Sequence, residues 1–252
     1  MGGCFSADQG AIALSLFVFV HTAVVRSCSR PQFGAAAQRP CCELEAVSSG
    51  SCCSIVMLPV FVQAPWVRSS PAACALFTAV LVALGLRLRG DLGALLIGFS
   101  GSWLAGAVFW GWLRLHPLWH LPVEAFALPL AIAGLQGPWR RAGQFYLGAL
   151  IGTACTDAAT ALCGLMPLWP QVLQASPSEA PLLLSAAAEQ VLQPIPIAVV
   201  SGFAVAMVVA GRWLWRQSEG GQVVAAALLS TLVVDGLFLA LALLSPQLSG
   251  LV

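Results

Sequence analysis

Long apolar segments separated by short polar connections dominate the chain from Met57 onward. Most of them approach the ~20 residues that a helix needs to cross a bilayer. The pattern therefore predicts an all-α fold, a polytopic transmembrane helix bundle with about six membrane-spanning helices. The predicted spans are Ala72 to Leu86, Leu92 to Leu113, Leu118 to Leu135, Gln144 to Met166, Ile195 to Trp215 and Gln222 to Leu244.

The sequence before Met57 has a different character. Residues 1–56 combine Ser, Gly and Pro with six of the nine cysteines and show neither helical nor strand periodicity. We interpret residues 1–56 as a poorly ordered or misassigned N-terminal extension and residues 57–252 as the transmembrane helical domain. A leader or anchor is the alternative, although Ala11 to Val25 is short for a span. Leu58 to Val67, with two prolines, is predicted to be an interfacial lead-in.

Arginine distribution predicts the orientation. The connections after the first, third and fifth spans carry Arg pairs, whereas the opposite side has only Arg68 and Arg114. Because cytoplasmic loops are enriched in basic residues, the side with the pairs is predicted to be cytoplasmic. Arg114 and the loop from Pro167 to Pro194 then lie outside.

The outer loop contains a helix signal. Ser176-Pro177-Ser178-Glu179 has the spacing of a capping box with proline at the first helical position. We expect a short amphipathic helix there, on the outer membrane surface. Its predicted apolar face consists of Leu182, Leu183, Ala186, Ala187 and Val191.

Composition agrees with a membrane protein and excludes some functions. With 59% hydrophobic and 8% charged residues and a mean hydropathy of +0.89, the chain cannot cover a soluble surface, so its main partner is the lipid bilayer. A net charge of +1 without a basic stripe argues against nucleic acid. The adjacent cysteines, Cys41-Cys42 and Cys52-Cys53, do not have zinc-site spacing. No metal site is predicted, and the sequence leaves any cofactor unknown.

Two predicted spans carry small residues at four-residue spacing. They are Gly98, Ser102 and Gly106 in the second span, and Gly148, Gly152 and Thr156 in the fourth. Small side chains let helix backbones approach closely. We interpret both stripes as packing surfaces, within the chain or against a membrane-protein partner.

Three carboxyl groups lie inside predicted spans, on Glu124, Asp157 and Asp235. A charged residue at the centre of a membrane helix costs about 3 kcal/mol on insertion scales, so such residues usually face the bundle interior and bind something. Asp157 and Asp235 are predicted at similar depth, with Glu124 about one turn shallower. The hypothesis is a shared outward-facing substrate- or ion-binding cavity. A structural hydrogen-bond hub is the alternative.

A threonine precedes each aspartate by four residues. Thr153 and Thr231 therefore lie on the same helix faces as Asp157 and Asp235, and each hydroxyl is predicted to bond its own carboxyl group. Both helices follow an Arg-bearing connection and run in the same direction. The similarity suggests a parallel repeat.

The densest polar stretch runs from Arg114 to Glu124. His116, His120 and Glu124 recur every fourth residue and would share one face of a continuous helix. Pro117 and Pro122 perturb that helix, so metal ligation is not favoured. Arg114, His116 and His120 are interpreted as residues of the outer membrane interface and possible ligands. No nucleophile and base arrangement is recognisable, which leaves enzymatic activity open.

Several motifs in order resemble a known family. They are Leu58-Pro59-Val60-Phe61-Val62-Gln63-Ala64-Pro65, Trp110-Gly111-Trp112-Leu113-Arg114, Pro117-Leu118-Trp119-His120-Leu121-Pro122-Val123-Glu124-Ala125, Phe145-Tyr146-Leu147-Gly148 with Gly152-Thr153 and Asp157, and Leu229-Ser230-Thr231 with Asp235-Gly236. From Leu58 to Leu244 the chain resembles a cyanobacterial multi-pass integral membrane protein family of unknown function. The resemblance implies a photosynthetic bacterial host and a plasma-membrane or thylakoid location, and it supplies no activity.

Three functions follow as hypotheses. The first is transport of a small solute or ion through a polar intramembrane cavity. The second is an assembly or accessory factor for photosynthetic membrane complexes. The third is a pigment- or haem-binding membrane protein that uses His116 or His120.

Overall fold

A computed structural model describes residues 62–88 and 90–244, and these ranges are helical without strands. Residues 62–69 form a lead-in helix. The helices that follow are α1 (Pro71–Arg87), α2 (Asp91–Val108), α3 (His120–Glu124), α4 (Leu128–Gly134), α5 (Arg140–Leu162), α6 (Trp169–Gln174), α7 (Ala180–Val191), α8 (Pro194–Gln217) and α9 (Glu219–Leu244). The predicted extension, residues 1–56, lies outside the described residues. The all-α helix bundle is confirmed.

Four of the described helices are long and apolar enough to cross a membrane, which identifies an integral membrane protein. They span Asp91–Leu113, Arg140–Leu162, Pro194–Gln217 and Glu219–Leu244. The predicted first span is present as α1, which is apolar but has only 17 residues.

The predicted third span, Leu118 to Leu135, is wrong as a continuous helix. It is divided into a 3₁₀ turn (Pro117–Trp119), α3 and α4. Pro117 begins the first piece, and Pro129 lies in the first turn of α4. Proline lacks an amide hydrogen and fits only the first turn of a helix, so the chain restarts a helix at these positions.

Helices α5 and α9 pack at backbone distance. A Cβ atom at Gly148 would lie 2.5 Å from the Val224 carbonyl oxygen, and one at Gly152 would lie 2.7 Å from Thr231 Oγ1. Contacts on the two helices advance together, so α5 and α9 run in the same direction, as the sequence predicted. The small residues of α5 therefore serve packing within the chain.

Helix α2 contacts the other side of α5 in the same manner. A Cβ atom at Gly98 would lie 2.6 Å from the Ala142 carbonyl oxygen, and one at Gly101 would lie 3.0 Å from the Tyr146 ring. The contacts again advance together along both helices. Helices α2, α5 and α9 thus form a parallel group with α5 in the middle.

Arg141 links the beginnings of these three helices. Its Nε atom lies 2.8 Å from Asp91 Oδ1, and its Nη2 atom donates to Glu219 Oε2 at 3.0 Å. Asp91 and Glu219 occupy the first turns of α2 and α9, where a negative charge is favourable to the helix dipole. The ion pairs are partly exposed, so they fix the alignment of the helix ends more than they add stability.

Trp103 anchors the lead-in helix and α1 to α2. Its indole N–H donates to the Cys74 carbonyl oxygen at 2.8 Å, and its own carbonyl oxygen accepts from Gln63 Nε2 at 2.7 Å. Trp66 and Phe77 meet its ring edge-on or tilted. The lead-in helix is therefore part of the bundle packing.

Helix α7 in the loop after α6 is present, with two corrections. It begins at Ala180, and Ser176 Oγ donates to the Glu179 carboxylate at 2.7 Å instead of capping a backbone amide. The buried face is Ala180, Leu184, Ala188 and Val191, whereas Leu182 is 71% exposed. The face differs because Leu184 and Ala188 pack against the end of α9.

Substituting Gly148 with alanine tests the helix crossing. The new Cβ atom would clash with a backbone carbonyl that cannot move independently, so we expect Gly148→Ala to destabilise the protein by about 1–3 kcal/mol. Gly202→Ala on α8 is the matched control, since nothing lies within 4 Å of a Cβ atom there. Thermal unfolding in detergent measures both. Equal melting temperatures for the two variants would contradict the crossing.

Candidate functional site

A histidine–carboxylate pair joins α3 to α5. His120 is the first residue of α3, and its Nδ1 atom lies 2.8 Å from Asp157 Oδ1 and 3.0 Å from Oδ2. Both side chains are only about one-fifth exposed, at 20% and 19%. A carboxylate in this position orients the imidazole ring and leaves Nε2 for another partner.

The end of α2 forms the wall behind His120. After Val108 the helix widens into a π-helical turn, Phe109–Leu113. The Phe109 ring is completely buried, and its centroid lies 4.5 Å from that of His120. Trp169 Nε1 donates to the Arg114 carbonyl oxygen at 2.8 Å, which satisfies a backbone group where the turn ends. Turns of this kind often occur at functional sites.

Tyr146, the chain's single tyrosine, holds the break between α3 and α4. Its hydroxyl group donates to the Glu124 carbonyl oxygen and accepts from the Ala127 amide, the latter at 3.2 Å. Backbone groups inside a membrane need a protein partner when helical bonding is interrupted. The hydroxyl group supplies that partner and thereby fixes Glu124 beside the site.

Asp235 of α9 completes the cluster. Asp157, Glu124 and Asp235 lie close enough to His120 to act on it electrostatically, and of these three carboxyl groups Asp157 is the one hydrogen-bonded to the imidazole. The Thr156 side chain lies within hydrogen-bonding reach of Asp235. Even so, Asp235 Oδ2 is buried and has no hydrogen-bond partner among the described residues.

A cavity of about 460 Å³ lies next to this cluster. Most of its wall is aliphatic or aromatic and comes from α5 to α9, where Trp169 is one of the aromatic residues. The π-helical turn after α2 adds Trp110. The polar and charged side chains in the wall are Gln63, Arg68, Arg114, His120, Thr156, Asp157, Thr160 and Asp235. The cavity is therefore largely apolar, with ionisable groups in parts of its wall.

The structure rearranges the predicted set of ionisable residues. It pairs Asp157 with His120, which the sequence had assigned with His116 to the outer interface, and it places Asp235 in the same cavity wall. Those two histidines are separated: His116 is exposed and precedes the 3₁₀ turn, whereas His120 begins α3 and meets α5. Glu124 is outside the cavity wall.

The two threonines and Arg114 have other environments. Thr231 Oγ1 donates to the Ala227 carbonyl oxygen at 3.1 Å instead of bonding Asp235, and it packs against Gly152. The Thr153 carbonyl oxygen accepts from Thr156 Oγ1 at 3.0 Å. Arg114 is in the cavity wall. Sequence reasoning assigned Thr156 to packing alone and missed its place beside Asp235.

A metal ion held by the protein alone needs three or more ligating side chains in one place. No group of three or more His, Cys, Asp or Glu side chains within residues 62–88 and 90–244 is arranged to hold a metal ion. The cluster is suited instead to proton exchange or to binding a charged group against the carboxyl oxygens.

Fold and site together define a polytopic helical membrane protein with a histidine–carboxylate cluster beside an apolar cavity. The family model described as protein of unknown function (DUF3120) matches residues 52–243. The chain belongs to that family. Neither the curated proteins nor the solved structures gave a match.

Replacing Tyr146 with phenylalanine tests the connection between α3 and α4. The variant leaves the Ala127 amide and the Glu124 carbonyl without the hydroxyl group, and an unpaired buried polar group costs about 1–3 kcal/mol. We expect a lower melting temperature and faster hydrogen–deuterium exchange in the segment 120–135. The control is Thr160→Val, because the Thr160 hydroxyl donates to the Thr156 carbonyl oxygen within its own helix. Unchanged exchange in Tyr146→Phe would exclude this role.

Proposed function

We propose that the protein transports a small solute or ion across the membrane, with the cavity as its binding site. His120, Asp157 and Asp235 would bind the transported species or the ion that drives it. The observation that carries the proposal is the His120–Asp157 pair in the wall of a 460 Å³ cavity that Asp235 also lines. Ionisable groups inside a membrane bundle are costly to retain and commonly mark an ion or substrate path.

The unpaired Asp235 oxygen favours function over a structural role. A structural hydrogen-bond hub gains its stability from having all its polar atoms paired. Asp235 Oδ2 is buried and receives no hydrogen bond from the part of the chain that the structure describes, so it contributes little to such a hub. An oxygen of this kind is suited to a proton or a cationic group that binds for part of a cycle.

Family resemblance supports a location. We propose a photosynthetic bacterial host, with the protein in its plasma membrane or thylakoid membrane. The assembly-factor hypothesis has lost part of its motivation, because the small-residue stripes that suggested a partner contact helices of the same chain.

Pigment or haem binding through His120 is a second candidate. A metal-binding histidine usually bonds a carboxylate through its other ring nitrogen, and His120 bonds Asp157 in this way. Purified protein would then show a visible absorption band that His120→Gln removes. A colourless preparation from the native host would exclude this candidate.

Reconstituted protein tests transport. Proteoliposomes containing a pH-sensitive dye are exposed to a potassium-diffusion potential, alone and with small amines, amino acids or monocarboxylates outside. We expect flux from the wild type and a loss of about tenfold or more in His120→Gln and Asp235→Asn, because each variant removes an ionisable group from the path. His116→Gln should retain wild-type flux, since that side chain is exposed.

The double variant His120→Gln, Asp157→Asn controls for misfolding. Two neutral amides preserve a hydrogen bond where His120→Gln alone leaves a carboxylate unpaired. The proposal requires this variant to fold normally and to remain inactive. Wild-type flux in the double variant, or no flux of protons or any tested solute by the wild type, would reject it.

A further inference from the structure

We infer that the cavity binds an organic cation, a molecule with an apolar or aromatic body and one positive charge. The inference rests on the proposed transport function and names the chemical class of the solute. The geometry behind it is the His120–Asp157 pair and the buried Asp235 carboxyl group in the wall of a large, mostly apolar cavity.

Where α3, α5 and α9 meet, the cavity wall has more carboxyl groups than basic groups. Asp157 and Asp235 belong to α5 and α9, and His120 is the one basic side chain that α3, α5 and α9 contribute to the wall. A protonated imidazole balances the Asp157 carboxylate that it contacts, and it leaves the Asp235 carboxyl group for another positive charge. In a low-dielectric site such an excess strongly favours a bound positive charge. Any cation would meet this electrostatic requirement, so the size and the apolar wall of the cavity determine which class of cation binds.

The cavity is too large to be a site for a bare metal ion alone. A volume of about 460 Å³ exceeds that of a small ion many times, and no three metal-ligating side chains converge in the described part of the chain. Cavities of a few hundred Å³ with mostly apolar walls are typical of sites for small organic molecules. The occupant therefore has an apolar body.

Aromatic side chains in the cavity wall favour an occupant whose apolar body carries a positive charge. Trp110 and Trp169 both line the cavity, and the centroids of their rings are 5.4 Å apart. Trp is the aromatic residue that binds cations best through its ring face. Aliphatic and aromatic walls combined with a carboxyl cluster thus select a cation with an apolar body over a sugar or an anion.

The two arginines of the wall lie on other elements. Arg68 is in the lead-in helix, and Arg114 follows the π-helical turn, whereas Asp157 and Asp235 belong to α5 and α9. Asp235 lies close enough to His120 and Asp157 for their charges to act on it. The cation site is accordingly assigned to the part of the cavity formed by α3, α5 and α9 together with Trp110 and Trp169, because the Phe109 ring contacts both tryptophans and His120.

Two probes that differ only in charge test the inference. Benzyltrimethylammonium carries a permanent positive charge, and neopentylbenzene is its neutral carbon isostere. Equilibrium dialysis measures radiolabelled benzyltrimethylammonium on the detergent-solubilised full chain. We expect saturable binding that excess neopentylbenzene does not displace.

Substitutions test which carboxyl group and which aromatic ring bind the cation. Asp235→Asn should weaken binding about tenfold or more, because it removes one charge from a low-dielectric site. Asp235→Glu keeps the charge and should restore most of the affinity, and Trp110→Leu should weaken binding about fivefold. His116→Gln is the control and should bind as the wild type does.

The outcomes separate the two proposals. Displacement by neopentylbenzene, or equal affinity in wild type and Asp235→Asn, overturns the organic-cation assignment. If the cation does not bind but flux still depends on His120, the solute class is wrong and transport stands. If the wild-type protein neither binds the cation nor supports flux, both proposals are rejected.

Discussion

The close approach of α5 to its two neighbours is the constraint on which the rest of the structure depends. Gly148 and Gly152 admit α9 on one side, and Gly98 of α2 admits α5 on the other. Without a hydrophobic force between helices in lipid, tight backbone packing is a main source of their association. Since α5 and α9 are parallel and in contact, residues at matching positions share one depth, and Asp157 and Asp235 are such residues.

The interrupted segment, α3 and α4, contributes the histidine of the candidate site. Its break at α3 and α4 brings His120 against Asp157, and the hydroxyl group of Tyr146 pairs the backbone groups that the break leaves without helical partners. The π-helical turn of α2 places Phe109 against the imidazole ring. Irregular backbone is thus confined to places where the protein itself satisfies it, next to the candidate site.

The carboxyl groups of α5 and α9 lie beside the cavity at the place where α3 contacts α5. A cluster with more carboxyl than basic groups is expensive within a membrane, and a large apolar cavity beside it gives a positively charged molecule both an electrostatic and a hydrophobic reason to bind. The proposed transport function and the proposed solute class use the same residues for this reason. His120 is central to both, because it touches Asp157 directly and interacts with the other two carboxyl groups.

The sequence by itself determined the class and much of the topology. Hydrophobic length identified the four long membrane helices, the small-residue stripes identified the packing faces, and the cost of buried charge singled out Glu124, Asp157 and Asp235. These are local properties, since each depends on composition or on spacing along a single helix.

Only the tertiary structure decided how the segments combine. It divided the span predicted from Leu118 to Leu135, turned Thr231 to the Ala227 carbonyl oxygen, and paired His120 with a carboxylate 37 positions away. No periodicity along one helix encodes a contact between side chains on different helices. Such a pair forms because packing brings two helices to a particular register, and the register depends on the shapes of both.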